Sequence, residues 1–432
     1  MQKYNKGILL LYDYQILFSN AATILENIEA FEKHSEFPVW KYNTQLGFPK
    51  GLEKLEFDVI VLHYSLFGLG YEYALQKEFL EYIQRSSALK IAFFQDDYRY
   101  CQKRFQFINQ YKIHTVYTPL QSENIPKVYG TYTNAPYIFN YLCGYVSEDI
   151  IDKTKNHVKD YDMRTIDVSY RARELPYYLG TGGQEKHLIG FKFINDVFQN
   201  NIKLNLDIKV NFDDRIYGED WYRFLGNSKA ILGVESGGSI VDLHDEAVNK
   251  CEQYLKENPN ASFEEVFKSV LYKYDNNIQY RVSSPRIFEG AALKCLMILY
   301  KGNYSGLVKP DIHYIPLEKD HSNFNEVISK LKDVTFCKKL IDNAYNDLIL
   351  SGNYHYKKFI QDFDSHLKTN GIQISPTYNR KGTDIWFKKN IKKRFLMKYM
   401  VLMSKKYLKI LFPKKSLLGT FLRKVAKIVK SD

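Results

Sequence analysis

Cysteine is scarce in this chain of 432 residues. The five that occur, Cys101, Cys143, Cys251, Cys295 and Cys337, are odd in number and scattered. No C-x-x-C pair and no Cys/His cluster at zinc spacing is present, which argues against a disulfide framework and a zinc site. The expectation is reduced thiols in a cytoplasmic protein, with no metal site. Long apolar runs are missing too. No stretch of about 18 apolar residues runs without charge, so no spanning helix is expected. The run Gly7–Tyr12 ends at Asp13 and is too short for a signal peptide; it suits a buried strand. Internal repeats and low-complexity tracts are also lacking, which excludes solenoid and fibrous classes.

What is present points to buried cores. Apolar residues supply 45% of the chain, enough to exclude wholesale disorder. At roughly 100–200 residues per domain, the length predicts two or three domains. Tyr (36) and Phe (28) are abundant. Such rings fill cores and also suit sugars or bases; an AT-rich codon bias produces the same excess. The net charge of +12 is uneven. Arg380–Asp432 holds 17 Lys/Arg against two Asp, a surplus of +15, so the preceding residues carry −3. The basic character belongs to the tail, and no nucleic-acid partner is expected.

Strand and helix patterns alternate over residues 1–145. Gly7–Tyr12, Phe37–Tyr42, Phe57–Tyr64, Lys90–Gln95 and His114–Thr118 read as strands. Helices are expected at Ala21–Phe31 and around Tyr73–Gln84. Polar residues 146–164 read as a linker. A second α/β series occupies residues 165–370. Its expected strands are Ile166–Tyr170, Leu204–Val210, Ala230–Val234, Leu296–Tyr300 and His313–Leu317. Helices are expected near Gln184–Phe198, Asp220–Leu225 and Pro285–Lys294. Ser262/Glu265 and Asn323/Glu326 have capping-box spacing. This alternation predicts an α/β protein of two Rossmann-like domains, each a parallel sheet with helices on both faces. Ligands are then expected at the carboxyl ends of the strands.

The most informative segment is SPRIFEGAALKC, Ser284–Cys295. Pro285 suits a first helical turn, and Glu289 lies one turn later, where a carboxylate can accept hydrogen bonds from ribose hydroxyls. Arg286 beside it favours phosphate. A surface Glu and Arg on an amphipathic helix is the competing reading. The segment resembles the donor-site helix of GT-B glycosyltransferases, especially bacterial CgeB/YkvP-like and group 1 enzymes. Gly302–Ile328 is similar to the strand and helix start that follow it in that family. The resemblance implies two Rossmann-like lobes facing a cleft, a nucleotide-sugar donor, no required cofactor or metal, and a ribose role for Glu289. Two departures stand out: Lys294 replaces a usual Gly, and Arg281 stands where many group 1 enzymes have Glu.

Three further segments are candidates. In Asp167–Lys186, Gly182 and Gly183 allow close backbone approach, while Arg171, Arg173 and Lys186 offer cations for a diphosphate leaving group. A plain charged surface loop is the alternative. Ser236, Gly237, Gly238 and Ser239 follow a strand with small residues that would admit a phosphate or sugar; a tight turn explains them equally. In the first lobe, Asp96, Asp97 and His63 end buried strands and are candidates to deprotonate an acceptor hydroxyl. The alternatives are an N-cap for the Asp pair and a structural role for His63.

After Gly371 Lys alternates with large apolar residues. Past Pro413, Leu418, Leu422, Val425 and Val429 form one helical stripe with Lys424 and Lys427 opposite. The pattern predicts a basic helical tail, residues 371–432, at an anionic membrane surface. Docking onto the first lobe and RNA binding are the alternatives. The expected whole is a cytoplasmic glycosyltransferase, peripheral at the inner face of the plasma membrane. It would move sugar from a nucleotide sugar to a cell-envelope glycan, polymer or lipid-linked acceptor. A polyol-phosphate transferase and a non-catalytic scaffold or nucleic-acid-binding protein are the other readings.

Overall fold

The computed structural model describes residues 7–15, 22–67, 75–373 and 381–411. Six strands form the first sheet: β1 (Ile8–Tyr12), β2 (Val39–Asn43), β3 (Val59–Leu62), β4 (Leu89–Phe93), β5 (Thr115–Thr118) and β6 (Tyr137–Asn140). Their order is β2-β1-β3-β4-β5-β6, and every pairing is parallel. Ile8–Leu11 and Val59–Leu62 are wholly buried, as central strands covered on both faces must be. The second lobe continues with β7 (Ile166–Arg171), β8 (Leu206–Lys209) and β9 (Ser228–Gly233). Next come β10 (Ser236–Gly238) and β11 (Tyr280–Val282), then β12 (Leu296–Tyr300) and β13 (Ile315–Leu317). Strands β10 and β11 pair as a short antiparallel ribbon; the others form a parallel sheet in the order β13-β12-β9-β7-β8.

The expected α/β architecture of two Rossmann-like domains is therefore the one adopted. Counted within each lobe, both sheets share one order. The second strand lies beside the first, and the third crosses to its other side. This creates a switch point between β1 and β3, and another between β7 and β9, where a crevice opens at the strand ends. The shared order is a structural repeat that no sequence periodicity reveals.

Several of the described segments join the lobes. Val146 and His355 form a bridge, with the Val146 N–H donating to Tyr354 O (2.9 Å) and the Tyr356 N–H to Val146 O (3.0 Å). The chain thus crosses between lobes twice at one place. The helix Tyr356–Thr369 then packs on the first sheet, although it lies within the 165–370 span read as the second domain. Phe359 and Phe363 meet Phe31 edge-on, at 6.2 and 5.2 Å between ring centroids. In addition, Val241, Ile278, Tyr280 and Val282 share the first lobe's core with Phe94, Cys101 and Tyr129.

Local signals held unevenly. Ser262 and Glu265 form the expected capping box. Asn323 does not: its amide donates to Pro316 O (2.9 Å) and its oxygen accepts from the Glu318 N–H (2.9 Å), while Glu326 pairs with Lys330 (2.7 Å). The Asn323 side chain ties the preceding turn instead of capping the helix. The tail is helical over Lys381–Leu411. Its Trp386, Phe387 and Ile391 pack on the first lobe, and Trp40 Nε1 donates to Asp384 (2.9 Å). The tail's stripe from Leu418 to Val429 lies outside the described residues. No described helix is long and apolar enough to cross a membrane.

Candidate functional site

A pocket of about 300 Å³ opens beside the end of β7. The helix Arg286–Ala292 supplies Arg286 and Glu289, and the segment after β8 supplies Arg215, Tyr217 and Trp221. Arg171 closes the β7 side, and Thr23, from the first lobe's opening helix, faces the others across the cleft. One carboxylate and three guanidinium groups thus line a space that also holds an indole and two phenol rings, Tyr217 and Tyr222.

Glu289 is fixed from behind. Trp221 Nε1 donates to its Oε2 at 2.9 Å. Burial raises the Glu289 pKa, while that hydrogen bond and the Arg286 charge oppose the rise. Arg286 stacks loosely between two rings, 5.5 Å from Trp221 and 5.9 Å from Tyr170. Among the described residues no carboxylate oxygen lies within ion-pair distance of it. A guanidinium held by rings and not spent on a carboxylate is poised for an anion. Arg171 is committed differently. It forms an ion pair with Asp207 (2.8 Å), donates to the Tyr170 and Asp207 carbonyls (2.9 and 2.8 Å), and lies 4.2 Å from the Phe224 ring centroid. It serves as a wall of the pocket, and its buried Nε has no partner among the described residues.

Lys186 lies deeper, with Arg286, Arg173, Asp96 and Cys143 in its electrostatic surroundings. Burial and the Arg286 charge lower its pKa to about 8. Arg173 is exposed. Asp96 comes from the opposite lobe, at a left-handed φ of 58° just beyond β4, and its side chain is open to solvent in the cleft. Desolvation between the cleft walls and the Asp97 charge raise its carboxyl pKa, and Lys186 pulls it back down.

The Asp pair is thereby separated. Asp97 is buried; its Oδ2 accepts from Thr118 Oγ1 and from the Tyr129 hydroxyl (2.5 Å). Arg104 holds its carbonyl at 2.8 Å. Asp97 is a core strut, out of reach of a substrate. His63 is wholly buried, with Nδ1 at 2.8 Å from Ser65 Oγ and Nε2 at 3.1 Å from Asn27 Oδ1. Desolvation lowers its pKa to about 3, so it is a neutral core histidine and not an accessible base.

The small-residue segments also take a packing role. Gly180–Gly183 is not a loop but the first turn of a helix, Gly180–Gln199. Its N-terminus is already capped. The Gly182 N–H donates to Ser239 Oγ (2.9 Å), the Thr181 N–H to Asp275 Oδ1 (3.1 Å), and Ser239 Oγ to the same Asp275 oxygen (2.5 Å). A carboxylate occupying the helix end repels a phosphate there. A Cβ on Gly182 would sit 2.6 Å from the Arg281 guanidinium, and one on Gly183 2.5 Å from Leu179. In the ribbon, Gly237 has φ +96°, and a Cβ there would meet Tyr280 O at 1.9 Å; Gly238 abuts the Leu179 carbonyl. Ser236 pairs with Val282 in the same ribbon. These residues therefore hold β10 against β11 and the helix end. Arg281 is part of that assembly, forked onto Glu185 at 2.8 and 2.9 Å.

Of the sequence-derived residues, the structure brings Glu289, Arg286 and Arg171 to the pocket, and Lys186 and Asp96 to the cleft. Sequence reasoning missed Arg215, Tyr217, Trp221 and Thr23. The interleaved Arg and aromatic residues of RIYGEDWY, Arg215–Tyr222, were the available signal. Among the described residues no group of His, Cys, Asp and Glu is arranged to hold a metal ion.

No family model matches the chain, and no curated protein matches it. Several solved structures align with it at low identity. An alpha-glucosyltransferase in complex with UDP and a 13-mer DNA containing an HMU base aligns at 11% identity and TM-score 0.48, over 85% of this chain and 100% of that one. Anabaena Alr3699/HepE in complex with UDP and glucose aligns at 11% identity and TM-score 0.45, over 84% and 100%. The pneumococcal O-GlcNAc transferase GtfA in complex with UDP and GlcNAc aligns at 10% identity and TM-score 0.37, over 76% and 60%.

Proposed function

We propose that this protein transfers a sugar from a nucleotide-sugar donor, working as a GT-B glycosyltransferase. The observation that carries the proposal is the pocket beside β7. A single carboxylate, Glu289, lies next to Arg286, with Trp221 and Tyr217 in the same wall and a second lobe opposite. Glu289 suits two ribose hydroxyls, Arg286 a diphosphate, and the rings a base or sugar face. Lys186 is placed to offset the charge that grows on the diphosphate as the glycosidic bond breaks. Asp96 faces it from the first lobe, a carboxylate of raised basicity able to take the proton of an acceptor hydroxyl. In that sequence the acceptor oxygen bonds to the anomeric carbon, its proton passes to Asp96, and the nucleoside diphosphate departs. The acceptor in this reading is a cell-envelope glycan, polymer or lipid-linked saccharide.

Titration with UDP, GDP, CDP and TDP tests the donor side. One of these should bind, and Glu289→Ala should weaken it by about 1–3 kcal/mol. Affinity unchanged by that substitution rules out the assigned ribose contact. Absence of nucleotide binding by the folded protein rules out the proposal.

A further inference from the structure

We infer that the tail helix presents a docking face for an anionic lipid bilayer, centred on residues 395–401. This goes beyond glycosyl transfer and does not depend on it. The helix Lys381–Leu411 changes character along its length. In its first half one side is spent on the protein: Phe387 is buried, Trp386 and Ile391 pack on the first lobe, and Arg394 Nη1 donates to Leu46 O (3.0 Å). From Phe395 onward the cover thins: Lys398, Leu402 and Met403 are half-buried, and Met397 and Val401 line a pocket with Leu46. Phe395, Leu396, Met397, Tyr399, Met400 and Val401 are each between 40% and 56% exposed. Six large apolar side chains in seven positions are thus exposed, and the seventh, Lys398, is half-buried toward the first lobe. Water penalises such a surface, and a soluble helix ordinarily hides it.

The charges say what covers it. Between Ile385 and Leu411 the helix contains no acidic residue. Lys388, Lys389, Lys392 and Lys393 precede the apolar segment, and Lys405, Lys406 and Lys409 follow it. The four preceding lysines are exposed, and none of them forms an ion pair among the described residues. Cations on either side of an exposed apolar segment match the two layers of an anionic interface, headgroups outside and acyl chains within. A second copy of the chain fits poorly, because a two-fold contact would set these lysines against themselves. A phosphodiester backbone would satisfy the lysines but leave Leu396, Met400 and Val401 without apolar cover. A groove of about 950 Å³ continues the face toward the sheet edge at β2; its walls include Trp40, Phe387, Ile391 and Phe395 with Lys388 and Lys392, and its two carboxylates are occupied, Glu32 by Lys41 (2.5 Å) and Asp384 by Trp40 Nε1 (2.9 Å). The whole face belongs to the lobe that carries Asp96.

The test uses the full chain and cosedimentation with vesicles of phosphatidylcholine, alone or mixed with phosphatidylglycerol. The protein should pellet with the mixed vesicles and stay soluble with phosphatidylcholine alone. L396S/M400S should lower partitioning roughly tenfold or more, because the lost apolar insertion is not replaced. K388E/K392E should lower it by about fivefold per lysine, and salt should mimic that change. Both pairs are exposed, so the melting temperature should match the parent's. Equal partitioning of the variants, or no pelleting of the parent, overturns the proposal. So does a concentration-dependent dimer, seen by light scattering, that L396S/M400S abolishes, or tighter binding to duplex DNA than to the mixed vesicles. Nucleotide titration of the same variants should be unchanged, which keeps this test separate from that of the donor pocket.

Discussion

The two lobes share one strand order but differ at its switch point. In the second lobe the crevice at β7 and β9 is bounded by the Arg286, Glu289 and Trp221 wall, and remains open as a pocket. In the first lobe the equivalent strand ends, β1 and β3, are filled by side chains bonded to one another. The Asp13 N–H donates to Ser65 Oγ (3.0 Å), Asn43 exchanges hydrogen bonds with the Tyr14 backbone, and Gln45 holds the Asp13 carboxylate (2.9 Å). His63 completes that plug through Ser65. Identical topology therefore does not make identical sites; what stands on the loops at the strand ends decides. A cation-lined mouth suits an anion, and a mouth of paired amides and a carboxylate does not.

Substitutions at the two lobes should have effects of graded size. The largest expected effect is structural. Phe363→Ala removes a ring packed on Phe31 and should cost about 3–5 kcal/mol in denaturant unfolding. A cost near zero would show that the first lobe does not depend on the helix from the far end of the chain. Arg286→Ala should weaken nucleoside-diphosphate binding by about 1.5–3 kcal/mol, since a hydrogen-bonded charge is lost. Equal loss of affinity for the free nucleoside would show that Arg286 does not read phosphate.

Next comes pH. Lys186 has its pKa lowered to about 8, so its charge is present below that pH and lost above it. Diphosphate affinity should decline as pH rises through about 8, and Lys186→Met should flatten the profile. Stability runs the other way. The folded state releases this proton before the unfolded chain, whose lysine titrates near 10.5, so the group's contribution to stability grows across that interval. The smallest effect is expected at the first lobe's mouth. Asp13→Asn should change nucleotide affinity by less than about 0.5 kcal/mol, as for a distant substitution. A larger change would place the nucleotide in the first lobe and reverse the comparison.

Much of the fold was legible because buried parallel strands are written as local apolar runs. GILLLY and FDVIVLHY announce themselves. Strand β6 did not: Tyr137 is 40% exposed, and a short edge strand carries little hydrophobic signal. The ribbon β10–β11 was invisible because its partners are 42 or more residues apart, and Gly237 reads as a turn until Tyr280 is beside it. At the site, Glu289 and Arg286 stood out through their family-like spacing. Trp221 did not, because its meaning lies in the bond to Glu289 across 68 residues.

The sequence by itself determined the α/β class, the two sheets and the segregation of positive charge into the tail. Each of these is set by local hydrophobic period or by composition. Tertiary structure placed Asp96 in the cleft and Asp97 in the core, buried His63 away from any acceptor, closed the Gly182–Gly183 helix end with Ser239 and Asp275, and showed which tail residues are left exposed. Those outcomes depend on which distant group arrives to satisfy a donor, cap a helix or cover a ring. That information is carried by contacts in space and not by neighbours along the chain.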